Sequence, residues 1–134
     1  MISAIGRRRT FTELRRDGRK VRHGSVRLSF LPLETAAPQV AFAIGRSFGT
    51  AVERNRGRRR LRAAFLDAWR DAPADGRAQL QGAFLLTGGR RLLTDPYRQL
   101  VADVGRCLDE LSTELSTEPG VERRTVETTG RVPA

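Results

Sequence analysis

The spacing of apolar residues changes period several times along this chain, and each change marks an element. Phe11 and Leu14 lie three apart on one face of a short helix. Thr10 and Glu13 have the spacing of a capping box that would start this helix, and Gly18 would end it. From about Arg19 to Leu31 the period falls to two. Val26, Leu28 and Phe30 alternate there with Arg27 and Ser29, as in half-buried strands. Pro32 to Pro38 reads as a turn-rich connection. A second alternating stretch, Val40 to Arg46, sends Val40, Phe42 and Ile44 one way and alanines the other. Gly45 and Gly49 bracket a loop into a long helix from about Thr50 to Arg70. Its Leu61, Ala64, Phe65 and Ala68 recur at three- and four-residue steps, with Gly57 beside them.

Ala72 to Gln81 contains Pro73 and Asp75-Gly76 and predicts a loop. Ala83 to Leu86 is continuously apolar, as expected of a short strand buried on both faces. Gly88-Gly89-Arg90-Arg91 turns the chain. Thr94 or Asp95 would cap a last helix with Pro96 at its first position. Leu100, Val104, Cys107, Leu108 and Leu111 form its core face. After about Ser112 apolar content collapses into a Ser/Thr/Glu/Pro-rich stretch too polar to offset its own ordering entropy. The expectation is one domain over residues 1–112 and a disordered tail over 113–134. Helix, strands, helix, strand, helix describes an α+β domain with helices packed on a small sheet.

Charge changes the picture from scaffold to ligand. The chain carries 25 Lys+Arg against 15 Asp+Glu, a formal net charge of +10. Residues 1–62 hold 16 basic and 4 acidic side chains, and residues 63–134 hold 9 and 11. A basic half and a mildly acidic half imply one binding face rather than a uniform coat. Six of the arginines fall in RNRGRRRLR, from Arg54 to Arg62 on the long helix. Like charges at i,i+4, as in Arg54/Arg58/Arg62 and Arg56/Arg60, each weaken an isolated helix by a few tenths of a kcal/mol. A chain that accepts this repulsion repeatedly has polyanionic phosphate to neutralise it, so the helix reads as a nucleic-acid contact. Arginine grips phosphate with a planar fork and stacks on bases, which suits RNA.

Candidate catalytic chemistry is nearly absent. His23 is the only histidine and Cys107 the only cysteine, which excludes a two-histidine metal site and an intrachain disulfide. Cys107 lies on an apolar helix face and reads as a small buried hydrophobe. Asp67, Asp71 and Asp75 run off a helix into a loop and read as a solvated face. The glycines lack the order and the lysine of a P-loop. No apolar run approaches the 18 or so residues of a membrane span. MISAIG is too short for a signal-peptide core, and Arg7-Arg8-Arg9 follow it, so a cytoplasmic protein is expected.

The segment FAIGRSFGTAVERNRGRRRLRAAF, Phe42 to Phe65, resembles the signature of the protein component of bacterial ribonuclease P. In that family a strand and a small basic loop precede a glycine, an Ala-Val pair and an arginine-rich Arg-Asn-Arg helix. Here these are Phe42–Ile44, Gly45-Arg46-Ser47, Gly49, Ala51-Val52 and Arg54-Asn55-Arg56 onward. RRRTFTELRRDGRKVRHGSVRL is similar to the family's basic start, first helix and first strands. The resemblance covers about residues 7–112. It implies four strands and three helices in the order αβββαβα, with a left-handed crossover that ordinary handedness rules would not predict.

It also implies a ribonucleoprotein in which an RNA subunit holds catalytic Mg²⁺ and cleaves the 5′ leader from precursor tRNA. The implied partners are that RNA subunit and precursor tRNA, with neither a membrane nor an obligate protein partner. Arg46, Arg54, Asn55, Arg56, Arg58, Arg59, Arg60 and Arg62 would contact RNA. A cleft between the first helix and the sheet would hold the single-stranded leader against Phe11, Arg15, Phe30 and Phe42. Gly57 replaces the family's usual aliphatic residue, which implies a thinner core contact. Arg15 stands where a second aromatic is common, which implies a more electrostatic leader contact. A ribosomal or other structured-RNA binding protein would present a similar basic helix, since phosphate neutralisation makes the same demands.

Overall fold

The computed structural model describes residues 2–35 and 37–117, and the backbone of 124–125. In chain order the elements are β1 (Ser3–Ala4), α1 (Arg8–Asp17), β2 (Arg19–His23), β3 (Val26–Glu34) and β4 (Gln39–Phe42). A single 3-10 turn at Arg46–Phe48 follows, then α2 (Ala51–Asp71), α3 (Ala74–Gln79), β5 (Gly82–Gly88), α4 (Arg91–Thr94), α5 (Tyr97–Thr117) and β6 (Arg124–Thr125). The sheet order is β1-β4-β5-β3-β2, with β6 beside β3. β2, β3 and β5 pair antiparallel, whereas β4 runs parallel to both β5 and β1. The parallel β4–β5 pair is joined by a crossover through α2 and α3.

The α+β class holds, with more strands than the four expected. β1 is two residues long and pairs only with Gln39 and Val40, so it is too short to show an alternating pattern. β3 runs on through Pro32 to Glu34, where a turn was expected. Pro32 is tolerated because the Leu33 N–H is the one that donates to the β5 side, at Gln81, which turns the Pro32 nitrogen to the opposite edge, where β2 begins only opposite Phe30. A short helix, α3, forms within the loop expected at 72–81, and the chain turns at 88–91 as expected before a second short helix, α4. Thr10 does not cap α1. The helix starts at Arg8 behind an uncapped Arg7, and Thr10 is buried inside it. The last helix continues through Thr117, past the expected boundary at 112, because Leu111 and Leu115 extend its buried stripe. The rest of the expected tail, apart from β6, lies outside the described residues.

Two cores flank the sheet, and strand alternation decides which side chain enters each. Val26, Leu28 and Phe30 of β3, Val40 of β4 and Phe84 and Leu86 of β5 pack with α2 and α5. Leu31, Leu33, Ala83 and Leu85 point the other way, to Leu14 and Phe11 of α1. The larger core is stitched by Phe30, Phe84, Phe65 and Trp69, with ring centroids 4.8 Å apart for Phe30–Phe84 and 5.4 Å for Phe65–Phe84.

Gly57 faces this larger core, and its missing side chain is not a deficit. A Cβ at Gly57 would lie 2.8 Å from Cζ of Phe48, whose buried ring occupies that space. The glycine and the phenylalanine are a matched pair. Gly57→Ala is therefore expected to destabilise by about 1–3 kcal/mol through overpacking, despite a helix-propensity gain of ~1 kcal/mol. Urea melts check this, and adding Phe48→Leu should recover most of the loss. A gain in stability from Gly57→Ala alone would contradict the pairing.

Candidate nucleic-acid interface

The basic helix starts on a complete capping box. The Glu53 N–H donates to Oγ1 of Thr50 at 3.1 Å, and the Thr50 N–H donates to Oε1 of Glu53 at 2.9 Å. With Leu61, Ala64, Phe65 and Ala68 buried, the helix rotation is fixed and the arginines divide into two sets. Arg54 turns back to donate to the Gly49 carbonyl at 2.8 Å. Arg60 reaches across to the carbonyls of Leu92 and Asp95, both at 2.7 Å, at the end of α4. Arg58 donates to Oδ1 of Asn55 at 2.7 Å. These guanidiniums are occupied by the protein itself.

Arg56, Arg59 and Arg62 form the other set. All three are exposed at three-residue steps along the outer face, and none has a hydrogen-bond or ion-pair partner among the described residues. Arg46, in the 3-10 turn before the helix, is exposed and equally unpaired. The structure thus separates the expected RNA-contact residues. Arg46, Asn55, Arg56, Arg59 and Arg62 face outward, Arg58 is held on Asn55, and Arg54 and Arg60 brace the fold. An arginine count cannot make that separation, because it depends on carbonyls 5 to 35 residues away in sequence.

Arg90 closes the near end of this surface. It donates to the Phe48 carbonyl at 2.7 Å and grips both carboxylate oxygens of Glu53, at 3.1 and 3.0 Å. The Arg90 guanidinium and the Thr50 backbone N–H hold the Glu53 carboxyl down at about 2.

The expected leader cleft is only partly assembled. Phe11 is half-buried against the α1-side core, and Arg15, one helical turn on, is exposed on the same stripe. Phe30 and Phe42 lie on the opposite face of the sheet. Phe30 is fully buried, and Phe42 packs edge-on against Phe65 with centroids 6.3 Å apart. Neither belongs in an α1 cleft: strand parity sends residues 28, 30, 40 and 42 to the α2 side. The α1 side instead receives Lys20, Arg22 and Arg27, which the sequence reading left out. Arg22 and Arg27 are direct cross-strand partners, both exposed, with no partner among the described residues. Like charges placed directly opposite on a sheet are destabilising, so this pair concentrates positive charge at a cost to the fold. Lys20 donates to the carbonyls of Arg15, at 2.9 Å, and Gly18, tying this patch to the end of α1. The signal was present as alternation: Val21, Val26 and Leu28 inward place Arg22 and Arg27 together outward.

Other ionisable groups are structural. Burial, then the nearby Glu110 and Asp103 carboxylates, push the Cys107 thiol up to about 12, so it is a packed hydrophobe rather than a nucleophile. Burial and the hydrogen bond to Asp67 likewise raise the Tyr97 hydroxyl to about 12. Among the described residues no group of three or more His, Cys, Asp or Glu could hold a metal ion. The donors on both cationic surfaces are guanidiniums, with the Lys20 ammonium on the α1 side, and such cations fit phosphate and not Mg²⁺. No helix of the described residues is long and apolar enough to cross a membrane.

A five-stranded mixed sheet with an arginine-faced crossover helix on one side and a second cationic face on the α1 side defines a small α+β protein with two cationic surfaces. The family model for ribonuclease P matches residues 3–112, and the chain belongs to that family. Its fold is similar to the solved RNase P protein of Staphylococcus aureus, with 13% identity, a TM-score of 0.60, and 81% of this chain and 94% of that one covered. It is also similar to the RNase P protein of Thermotoga maritima, at 18% identity and a TM-score of 0.54, covering 88% and 99%. No curated protein matches the chain by sequence.

Proposed function

We propose that this chain, as the ribonuclease P subunit its family makes it, binds the catalytic RNA and the 5′ leader of precursor tRNA on two different surfaces. The observation that carries this reading is the set of unpaired arginines: Arg46, Arg56, Arg59 and Arg62 on the α2 side, Arg22 and Arg27 on the α1 side. The outer face of α2 meets phosphates of the RNA subunit, contacts that fix register without reading sequence. The face that carries Arg15, Lys20, Arg22 and Arg27, with Phe11 one helical turn from Arg15, holds the leader by charge and by stacking, which tolerates any sequence.

Mg²⁺ is held by the RNA, whose phosphates are the donors it prefers. The protein supplies no acid, base or nucleophile. Its positive charge lowers the repulsion between two polyanions and so raises affinity for both substrate and Mg²⁺. Placement in the cytoplasm, with precursor tRNA, follows from this role.

The test is cleavage of precursor tRNA by a bacterial ribonuclease P RNA at low Mg²⁺, with and without the full chain. Cleavage restored at the mature 5′ end supports the reading. RNA binding without rescue favours a structured-RNA binding protein with no processing role.

A further inference from the structure

The RNA-facing surface rests on a carboxylate. Glu53 sits in the first turn of α2, among the arginines, where a negative charge opposes RNA binding. Its geometry shows why it is kept. One oxygen accepts from the Thr50 backbone at 2.9 Å, and both accept from Arg90. Arg90 also donates to the Phe48 carbonyl, and Phe48 ends the turn that carries Arg46. The turn closes through the Phe48 N–H to the Gly45 carbonyl at 3.1 Å, and Arg54 holds the next carbonyl, Gly49, from the other side. Gly49 is the point where these groups converge: a Cβ there would lie 2.3 Å from Oε1 of Glu53 and 2.5 Å from Arg90. The Arg46 turn and the start of α2 that follows it are thus tied at one spot to the β5–α4 connection, about 40 residues on.

We infer that Arg90 and Glu53 form a clamp of positioning residues that sets Arg46 in register with Arg56 and Arg59, so that one RNA strand meets all three. The inference rests on the RNA-binding reading of α2. The clamp's own charges are spent on each other. Arg90 is not a phosphate ligand, and Glu53 acts through the backbone it fixes. Arginine is required at position 90, because the planar fork satisfies two carboxylate oxygens and a carbonyl together and an ammonium cannot.

Electrostatics alone and the clamp predict opposite signs for one substitution. Glu53→Gln removes a negative charge from a cationic surface, so simple charge attraction predicts tighter RNA binding. The clamp predicts weaker binding by about tenfold, the equivalent of one charge-assisted hydrogen bond. Arg90→Lys, which leaves net charge unchanged, should weaken binding similarly. In the Arg90→Lys background Arg46→Ala should cost much less than in the unsubstituted chain, because Arg46 is already out of place.

The measurement is titration of the full-length chain and these variants against a bacterial ribonuclease P RNA transcript at fixed salt, with circular dichroism to follow helix content. Weaker binding by Glu53→Gln at unchanged helix content, with the loss of Arg46 coupled to Arg90, supports the clamp. Unchanged or tighter binding, or additive effects, overturns it while leaving the RNA-binding reading intact. Loss of helix content in both Glu53→Gln and Arg90→Lys overturns it in favour of a general structural tie. No binding by the unsubstituted chain overturns the reading on which the clamp rests, and the clamp with it.

Discussion

Replacing Arg56, Arg59 and Arg62 together by Gln is expected to lower affinity for ribonuclease P RNA by about two orders of magnitude or more. Each lost contact is a charge-assisted hydrogen bond worth about 1.5–3 kcal/mol. The three side chains are exposed and hold no protein partner, so the fold should be untouched and thermal melting unchanged. The salt dependence gives the more diagnostic result. Each phosphate neutralised adds about 0.7–0.9 to the slope of log affinity against log salt, so the triple variant should flatten that slope by about 2–3. Arg60→Gln should behave in the opposite way. Its guanidinium is held by the carbonyls of Leu92 and Asp95, so stability should fall while the slope stays the same. Filter binding across a salt series, beside thermal melts, separates the two. An unchanged slope in the triple variant would remove α2 as the RNA-binding surface.

That contrast shows how far the sequence could be read. Periodicity placed α2 to within a residue at each end and identified its buried side, because Leu61, Ala64, Phe65 and Ala68 form a regular stripe. It also placed the arginines off that stripe. Which arginine stays free is a tertiary question, answered by where α4 ends and how the turn at Arg46 folds. The capping boxes make the same point. Thr10-to-Glu13 and Thr50-to-Glu53 have identical spacing, yet only the second caps a helix. At the first, burial of Thr10 and Leu14 carries α1 back to Arg8, and Glu13 pairs with Arg9 at 3.3 Å. Short elements such as β1, α3 and α4 left no pattern to read, because each is held by neighbours rather than by its own alternation.

The sheet faces were legible but misread, and Phe30 gives the most decisive test of the correction. Phe30→Ala is expected to cost about 3–5 kcal/mol, the usual price of emptying a phenylalanine site in a close-packed core. Its ring has no exposed surface and lies 4.8 Å from that of Phe84. Against a total stability of about 5–15 kcal/mol, such a loss leaves the chain near its unfolding threshold. Activity lost in this variant should therefore return on cooling or on addition of the RNA subunit, since a ligand that binds only the native state stabilises it. Phe11→Ala should reverse the pattern. That ring is half-buried on the α1 side, one helical turn from Arg15 and on the sheet face that also carries Lys20, Arg22 and Arg27. Its removal should shift the urea midpoint little while raising KM for leader-bearing precursor about tenfold, since one base–aromatic stack is worth about 1–3 kcal/mol. Cleavage of a precursor with a one-nucleotide leader should be nearly unaffected. If Phe30→Ala instead stayed stable and selectively lost leader binding, the assignment of the two sheet faces would be inverted. Arg22 and Arg27 would then have no role in holding the leader.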